Sequence, residues 1–312
     1  MELWYRNGGT TMTETAVVVL ADTSMGLSVA AQAADVLGAR VLRSELLEPG
    51  AVGEGRLAAI GNADALIVEL DRDGGADLDA LLALVDRTAR DAGIDAVVCF
   101  PESLIDIVAA GISSARVALL CAPTMIERVA ALQLAVQPRQ LMLADIGAES
   151  EAQRLMQLSR EVARIAKALA ELSAGELGPG PAVHDGAGRF AAETRSDPVE
   201  PVTIRAVIRA RRLRDQYLPP ALFADPAWDM LLDLMAARLE AQPVAVSSLC
   251  IAAAVPPTTA LRWIQTLADA NLIERRPDQR DGRRVFISLA DRAAEAMQRY
   301  FTAARQAGAI LA

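Results

Sequence analysis

A chain of 312 residues has room for two cores of ordinary size, and with 53% hydrophobic but only 4% aromatic residues those cores must be built from Ala, Leu, Val and Ile. No apolar run is long enough to span a bilayer and no secretory leader is evident, so a soluble, cytoplasmic protein with no membrane partner is expected. The net charge of −9 argues against a nucleic-acid partner only until it is divided: residues 200–312 hold fifteen arginines and twelve acids, whereas residues 1–199 hold sixteen basic residues and twenty-eight acids.

Chemistry that relies on cysteine or histidine has little to work with. Cys99, Cys121 and Cys250 are odd in number, lie in apolar contexts and show no paired spacing, which argues against both a disulfide framework and a zinc site. The single histidine, His184, lies in a stretch rich in Gly and Pro. After a flexible start over residues 1–11, short apolar runs alternate with helical patterns from Thr15 to about Val136. The spacing predicts strands at Ala16–Leu20, Arg40–Leu42, Ala65–Leu70, Ala96–Phe100 and Val117–Cys121. Helices are expected near Leu27–Leu37, Gly55–Ile60, Leu78–Ala92, Leu104–Ala110 and Met125–Leu134. Five such βα units predict an α/β domain over residues 12–137 with a doubly wound, five-stranded parallel sheet. Its first turn, Ala21-Asp22-Thr23-Ser24-Met25-Gly26, matches neither a dinucleotide fingerprint nor a phosphate loop, so no cofactor is expected. Asp71, Asp73, Asp77 and Asp79 crowd around Gly74-Gly75, but the closing glutamate of a calcium loop is missing. A turn followed by an Asp-capped helix accounts for them without metal.

This order of elements resembles the receiver domain of response regulators, a flavodoxin-like fold. Receivers hold magnesium on acids after the first strand and take a phosphoryl group on an aspartate ending the third. A hydroxyl after the fourth strand and a lysine before a proline after the fifth complete the site. Here Asp22 matches one acid and Glu69, not aspartate, stands at the acceptor position, the alternative being that it is no more than a solvated strand-end acid. The fourth strand ends Cys99-Phe100-Pro101 without the hydroxyl, and Ala122 precedes Pro123 where lysine is expected. The resemblance therefore implies a degenerate receiver pocket at Asp22 and Glu69, in a domain that takes a small-molecule or protein effector without being phosphorylated.

Within residues 138–174, Leu155, Leu158, Val162, Ile165, Leu169 and Leu172 recur at alternating spacings of three and four. That seam suits a dimerising two-stranded coiled coil, or an amphipathic helix packed on its own chain. Residues 175–200, rich in Gly, Pro, Ala and charge, read as a flexible linker.

The domain at 201–312 opens with Arg205, Arg209, Arg211, Arg212 and Arg214 on one helix, a face suited to tracking phosphates or simply to solvent. Ser247 is the expected N-cap of a short helix through Leu249, Cys250 and Ala253; Ala254-Val255 form a turn, and Pro256-Pro257 open a second helix. At 100° per residue that helix gathers Ala260, Leu261, Ile264, Leu267 and Ala268 on a face to be buried. Thr259, Arg262 and Thr266 lie opposite, with Thr258 at the entrance and Trp263 packing on the flank. Asn271 suits a left-handed cap, and a hairpin follows with Leu272–Arg276 and Arg284–Leu289 around a polar tip. Helix, turn, helix and hairpin in this order make an α+β winged helix-turn-helix. Arg262 can fork onto guanine or grip a phosphate, and the arginines at the tip can enter a minor groove.

The segment resembles the MarR family of bacterial transcription regulators. The likeness rests on the helix with Thr258-Thr259, the exit from Leu267 to Leu272, Arg275-Arg276, the wing Asp278-Gln279-Arg280-Asp281-Gly282-Arg283-Arg284 and a helix after Leu289. Ala254 departs from the glycine common in the turn, and Ala290 from a common capping threonine. The resemblance implies that Asp281 braces Arg283 or Arg284 for DNA contact. It further implies a non-enzymatic, nucleoid-associated regulator that binds double-stranded DNA as a homodimer on a palindromic operator. The residues expected to meet DNA are Ser247, Thr258, Thr259, Arg262, Thr266, Arg280, Arg283 and Arg284; no catalytic residue and no metal is expected. The alternative is a scaffold whose acidic domain recruits a partner while the winged domain docks protein.

Overall fold

The computed structural model describes residues 15–47, 62–137, 199–218 and 223–308. The helix expected near Gly55–Ile60, the seam at 155–172 and His184 lie outside them. Up to Val136 and from Val199 onward, the described residues belong to one compact unit.

The first part runs β1 (Ala16–Ala21), α1 (Ser24–Leu37), β2 (Arg40–Leu46), β3 (Ala65–Glu69), α2 (Ala76–Asp91), β4 (Asp95–Phe100), α3 (Ile105–Gly111), β5 (Val117–Cys121) and α4 (Met125–Val136). The strands form one all-parallel sheet in the order β2-β1-β3-β4-β5, which makes this an α/β domain. Because β1, β3 and β4 are covered on both faces, they read as continuous apolar runs, and their alternation divides them between two cores. Val17, Val19, Ala65, Ile67, Val97 and Cys99 pack with Ala30, Ala33 and Leu132 from α1 and α4. Val18, Leu20, Leu66, Val68, Val98 and Phe100 pack with Leu78, Leu82, Val85 and Val108 from α2 and α3.

Strand β2 continues past Leu42, where the apolar signal ends, to Leu46. It is an edge strand with a register shift opposite Val17 and Val18, and Arg43 pairs with Glu45 at 2.7 Å, the charged pattern that keeps an edge from templating another chain. The Asp-capped start expected for α2 is not found: its N-cap is Gly75, with no side-chain bond, while Asp73 accepts from the Gly75 N–H at 2.9 Å within the turn. Asp86, buried on α2, accepts from the amides of Ser113 and Ser114 at 2.8 and 2.7 Å and so fixes the loop into β5.

The second part comprises α5 (Pro201–Leu213), α6 (Pro226–Leu239), β6 (Val244–Ala245), α7 (Val246–Ala252), α8 (Pro257–Asp269), β7 (Ile273–Pro277), β8 (Val285–Leu289) and α9 (Asp291–Gln306). Its antiparallel sheet has the order β6-β8-β7. Met230, Leu234, Leu249, Ile264, Leu267, Ile287, Met297 and Phe301 form its core, which is continuous with the α2/α3 core of the parallel sheet. Contact runs through α3 against α7 and β8, and through β5 against α8.

Helices α2 and α3 meet where Gly111 faces Leu82: a Cβ on Gly111 would stand 2.7 Å from Leu82 Cβ and 2.9 Å from its Cδ1. Leu82 is itself fully buried, so neither group has room to retreat. Gly111→Ala is expected to lower the unfolding free energy by about 1–3 kcal/mol, read from urea midpoints; an unchanged midpoint would mean that the helices separate at no cost.

Candidate nucleic-acid interface

Helix α7 is two turns long and starts differently from the sequence expectation. Its N-cap is Ala245, at φ −72° and ψ 158°, without a side-chain bond, and Ser247 lies inside the first turn. Ser247 donates its N–H to Asp106 Oδ1 at 2.9 Å and its hydroxyl to Oδ2 at 2.8 Å. An ionised carboxylate brought in from α3 thus serves an orphan amide and opposes the positive end of the helix, in place of the neutral cap expected from Ser247. The turn holds Ala254 at φ 51°, the left-handed region in which an L-residue costs roughly 1–2 kcal/mol, which is why related turns favour glycine.

Helix α8 begins with Pro256 as N-cap and Pro257 in the first turn. Ala260, Leu261, Ile264 and Leu267 are buried, while Thr259, Arg262 and Thr266 are exposed. Trp263 is 37% exposed, so it packs on the flank only in part. At the exit Asn271 takes φ 53°; its N–H reaches the Ala268 carbonyl at 2.8 Å and the Leu272 N–H reaches the Leu267 carbonyl at 2.9 Å, the paired bonds of a Schellman ending.

The β7–β8 hairpin presents Arg280 and Arg284 to solvent. Asp281 accepts from the Arg283 N–H at 3.0 Å and pairs with Arg284 Nε at 3.3 Å, so its side chain braces Arg284. The Arg283 guanidinium turns to the α/β half instead, with Nε 2.8 Å from Asp79 Oδ1 and Nη2 2.5 Å from Asp73 Oδ1. These bonds raise Arg283 above its ordinary pKa and, together with the Gly75 N–H, hold Asp73 below the usual carboxylate range.

Two further groups join the halves. Thr258 Oγ1 accepts from the Cys121 N–H at 2.9 Å and donates to the Cys121 carbonyl at 3.3 Å, on the edge strand β5. Arg275 donates to the Ile112 carbonyl just past α3 at 2.9 Å and to Gln265 Oε1 at 2.9 Å; burial pulls its guanidinium below its ordinary value. Of the residues expected to meet DNA, Thr259, Arg262, Thr266, Arg280 and Arg284 are exposed, whereas Ser247, Thr258 and Arg283 are bonded to the α/β half.

The basic helix α5 is not a phosphate-tracking face along most of its length. Arg205 pairs with Asp233 at 2.6 Å and Glu240 at 2.8 Å, Arg211 with Asp229 at 2.7 Å, and Arg212 with Asp229 at 3.4 Å. Arg214 lies over the Phe223 ring at 5.6 Å. The acids of α6 lie across from these arginines once the helices pack, a proximity that sequence spacing does not reveal.

Just past β1, Asp22 accepts from the Asp71 N–H at 2.9 Å and the Arg72 N–H at 2.8 Å, and so holds the loop after β3. Glu69 is not a solvated strand-end acid. It is buried, and its two oxygens pair with Arg128 Nε at 2.7 Å and Nη2 at 3.1 Å. A cation is therefore present beside the acid although Ala122 supplies none; it comes from α4. Glycine at position 26 keeps this site compact, because a Cβ there would lie 3.0 Å from Glu69 Cβ. Burial, and then the neighbouring Glu69, push the Cys99 thiol well up. Burial likewise raises Cys121 to about 11 and Cys250 to about 12, so all three thiols stay protonated and unreactive at neutral pH.

The bonds of Arg128 to Glu69, of Asp106 to Ser247 and of Arg275 to Ile112 carry no sequence signal, since the partners lie 59, 141 and 163 positions apart. Compared with protein-family models and with curated proteins, the chain matches none. Among the described residues no helix is long and apolar enough to cross a membrane.

Removing one member of the Glu69–Arg128 pair strands the other in a buried site. Arg128→Met should cost about 3–5 kcal/mol in denaturant unfolding, with much of the loss recovered in Arg128→Met/Glu69→Leu. Equal stabilities for the parent and the single variant would show that Glu69 remains solvated.

Proposed function

We propose that the chain is a DNA-binding transcription regulator. In this reading α7, α8 and the β7–β8 hairpin form a MarR-like winged helix-turn-helix, and the α/β half is a receiver-like domain that works without phosphorylation. The observation that carries the reading is the division of α8: one face dry and locked into the core, the other exposing Thr259, Arg262 and Thr266, with Arg280 and Arg284 exposed on the adjoining hairpin. A helix so divided can seat in a major groove while the hairpin reaches the backbone. The positive balance of residues 200–312 within an acidic chain supports the same partner. Two half-sites read by a homodimer would supply affinity that one short helix cannot.

Docking of this region on the chain's own α/β half gives some support to a second reading, in which the winged half is a protein-binding module. The two separate on specificity. Arg262→Ala should weaken binding to the operator recovered by genome-wide DNA capture ~10-fold or more, with a much smaller loss on random duplex, because a bidentate base contact discriminates by roughly 1–3 kcal/mol. Equal losses on both would make Arg262 a phosphate contact, and no enrichment of any duplex would favour the protein-binding reading.

Independence from phosphorylation is supported by Glu69, whose carboxylate is committed to Arg128. Incubation with acetyl phosphate and magnesium should leave the intact mass unchanged. A phosphoryl adduct that vanishes in Glu69→Gln would establish a working receiver.

A further inference from the structure

We propose that the α/β half is a built-in competitor for the DNA-binding face, so that the docked arrangement and the duplex-bound one exclude each other. The inference rests on the DNA reading above and adds its regulation. Helix-turn-helix proteins present the N-terminal end of the recognition helix to base edges. Here that end is against the parallel sheet: Thr258 shares two hydrogen bonds with Cys121 of β5, and Pro257 begins the helix beside it. Ser247, in the preceding helix, is held by Asp106. A duplex approaching along this axis meets β5 and α3 before it meets the bases.

The hairpin is occupied in a chemically matched way. Arg283 receives two carboxylate oxygens of Asp73 and one of Asp79, an arrangement of anionic oxygens that resembles what a phosphate backbone offers a guanidinium. Arg275 is spent on the carbonyl end of α3. The acidic loop around Gly74-Gly75 thus serves as a substitute for phosphate.

The energy of docking does not come from these ion pairs. Arg283, Asp73 and Asp79 are between 30% and 44% exposed, so water and salt screen their attraction and leave it a weak source of affinity. The continuous core that joins α3 and β5 to α7 and α8 holds the halves together, and the polar contacts set their register. A protein closed most of the time binds its duplex more weakly in proportion to the fraction that is open. Any effector that stabilises the released α/β half would therefore raise DNA affinity without touching the DNA-binding residues.

The three buried cysteines provide the readout. Cys121 and Cys250 lie on the elements that meet, β5 and α7, whereas Cys99 lies on the opposite face of the sheet among Val17, Ile67 and Leu132. The full chain is treated with N-ethylmaleimide, alone and with the captured operator duplex, and modification is mapped by mass spectrometry. Duplex is expected to speed alkylation of Cys121 and Cys250 at least tenfold and leave Cys99 protected. Protection of all three thiols in a saturated complex would overturn the proposal, since the docked form would then bind DNA.

A second arm opens the arrangement directly, with Asp73→Asn/Asp106→Arg compared against Asp35→Asn/Asp91→Arg, which changes charge equally at exposed sites away from the contact. The first pair should bind the operator at least tenfold more tightly than the second, with Cys121 and Cys250 reactive without DNA. Equal affinity of the two pairs for the operator overturns the proposal and leaves the DNA reading intact. Failure of the unaltered chain to enrich any duplex overturns the DNA reading itself.

Discussion

The edge of the parallel sheet at β5 is the constraint on which the rest of the molecule depends. An edge strand presents unpaired N–H and carbonyl groups and must be blunted or covered. The opposite edge, β2, is blunted by its own alternation and charge. Strand β5, Val-Ala-Leu-Leu-Cys, carries no charge; α8 packs against it, and at its last residue Thr258 satisfies both backbone groups of Cys121. From that cover follow the shared core, the capping of α7 by Asp106 and the reach of Arg283 to the α2 turn.

The acids of the first half acquire meaning in this light. Read along the chain they are a solubilising excess. In three dimensions Asp73, Asp79 and Asp106 are receptors for the second half, Asp86 positions the loop into β5, and Glu69 is neutralised internally by Arg128. The same holds for arginine. Arg205, Arg211 and Arg212 of α5 are paired with acids of α6, whereas Arg262 on the outer face of α8 and Arg280 and Arg284 on the hairpin stay exposed.

The Glu69–Arg128 pair answers a local electrostatic demand of the fold. A buried carboxylate at the end of a central strand is costly unless a cation answers it. Here the cation is a guanidinium from α4, which also donates to the Pro123 carbonyl and so fixes the loop after β5. The proposed signal path therefore runs through docking and release.

By itself the sequence determined the local structure. The apolar runs of β1, β3 and β4, the periodicity of α1, α2 and α8, the proline start of α8 and the left-handed Asn271 are set by neighbours within a few residues, and the structure has them where the pattern puts them. The end of β2 was not legible, because an edge strand need not be apolar, nor was the cap of α7, because its carboxylate comes from Asp106. Which arginines face solvent was equally hidden: Arg205, Arg211 and Arg283 look no different from Arg262 and Arg284 in a sequence. Their partners lie on other elements, α6 of the same half for Arg205 and Arg211 and the turn before α2 in the other half for Arg283, all brought within 3 Å by packing. Local periodicity specifies elements, but burial across remote segments decides which charged side chains remain available, and only the tertiary structure could decide that.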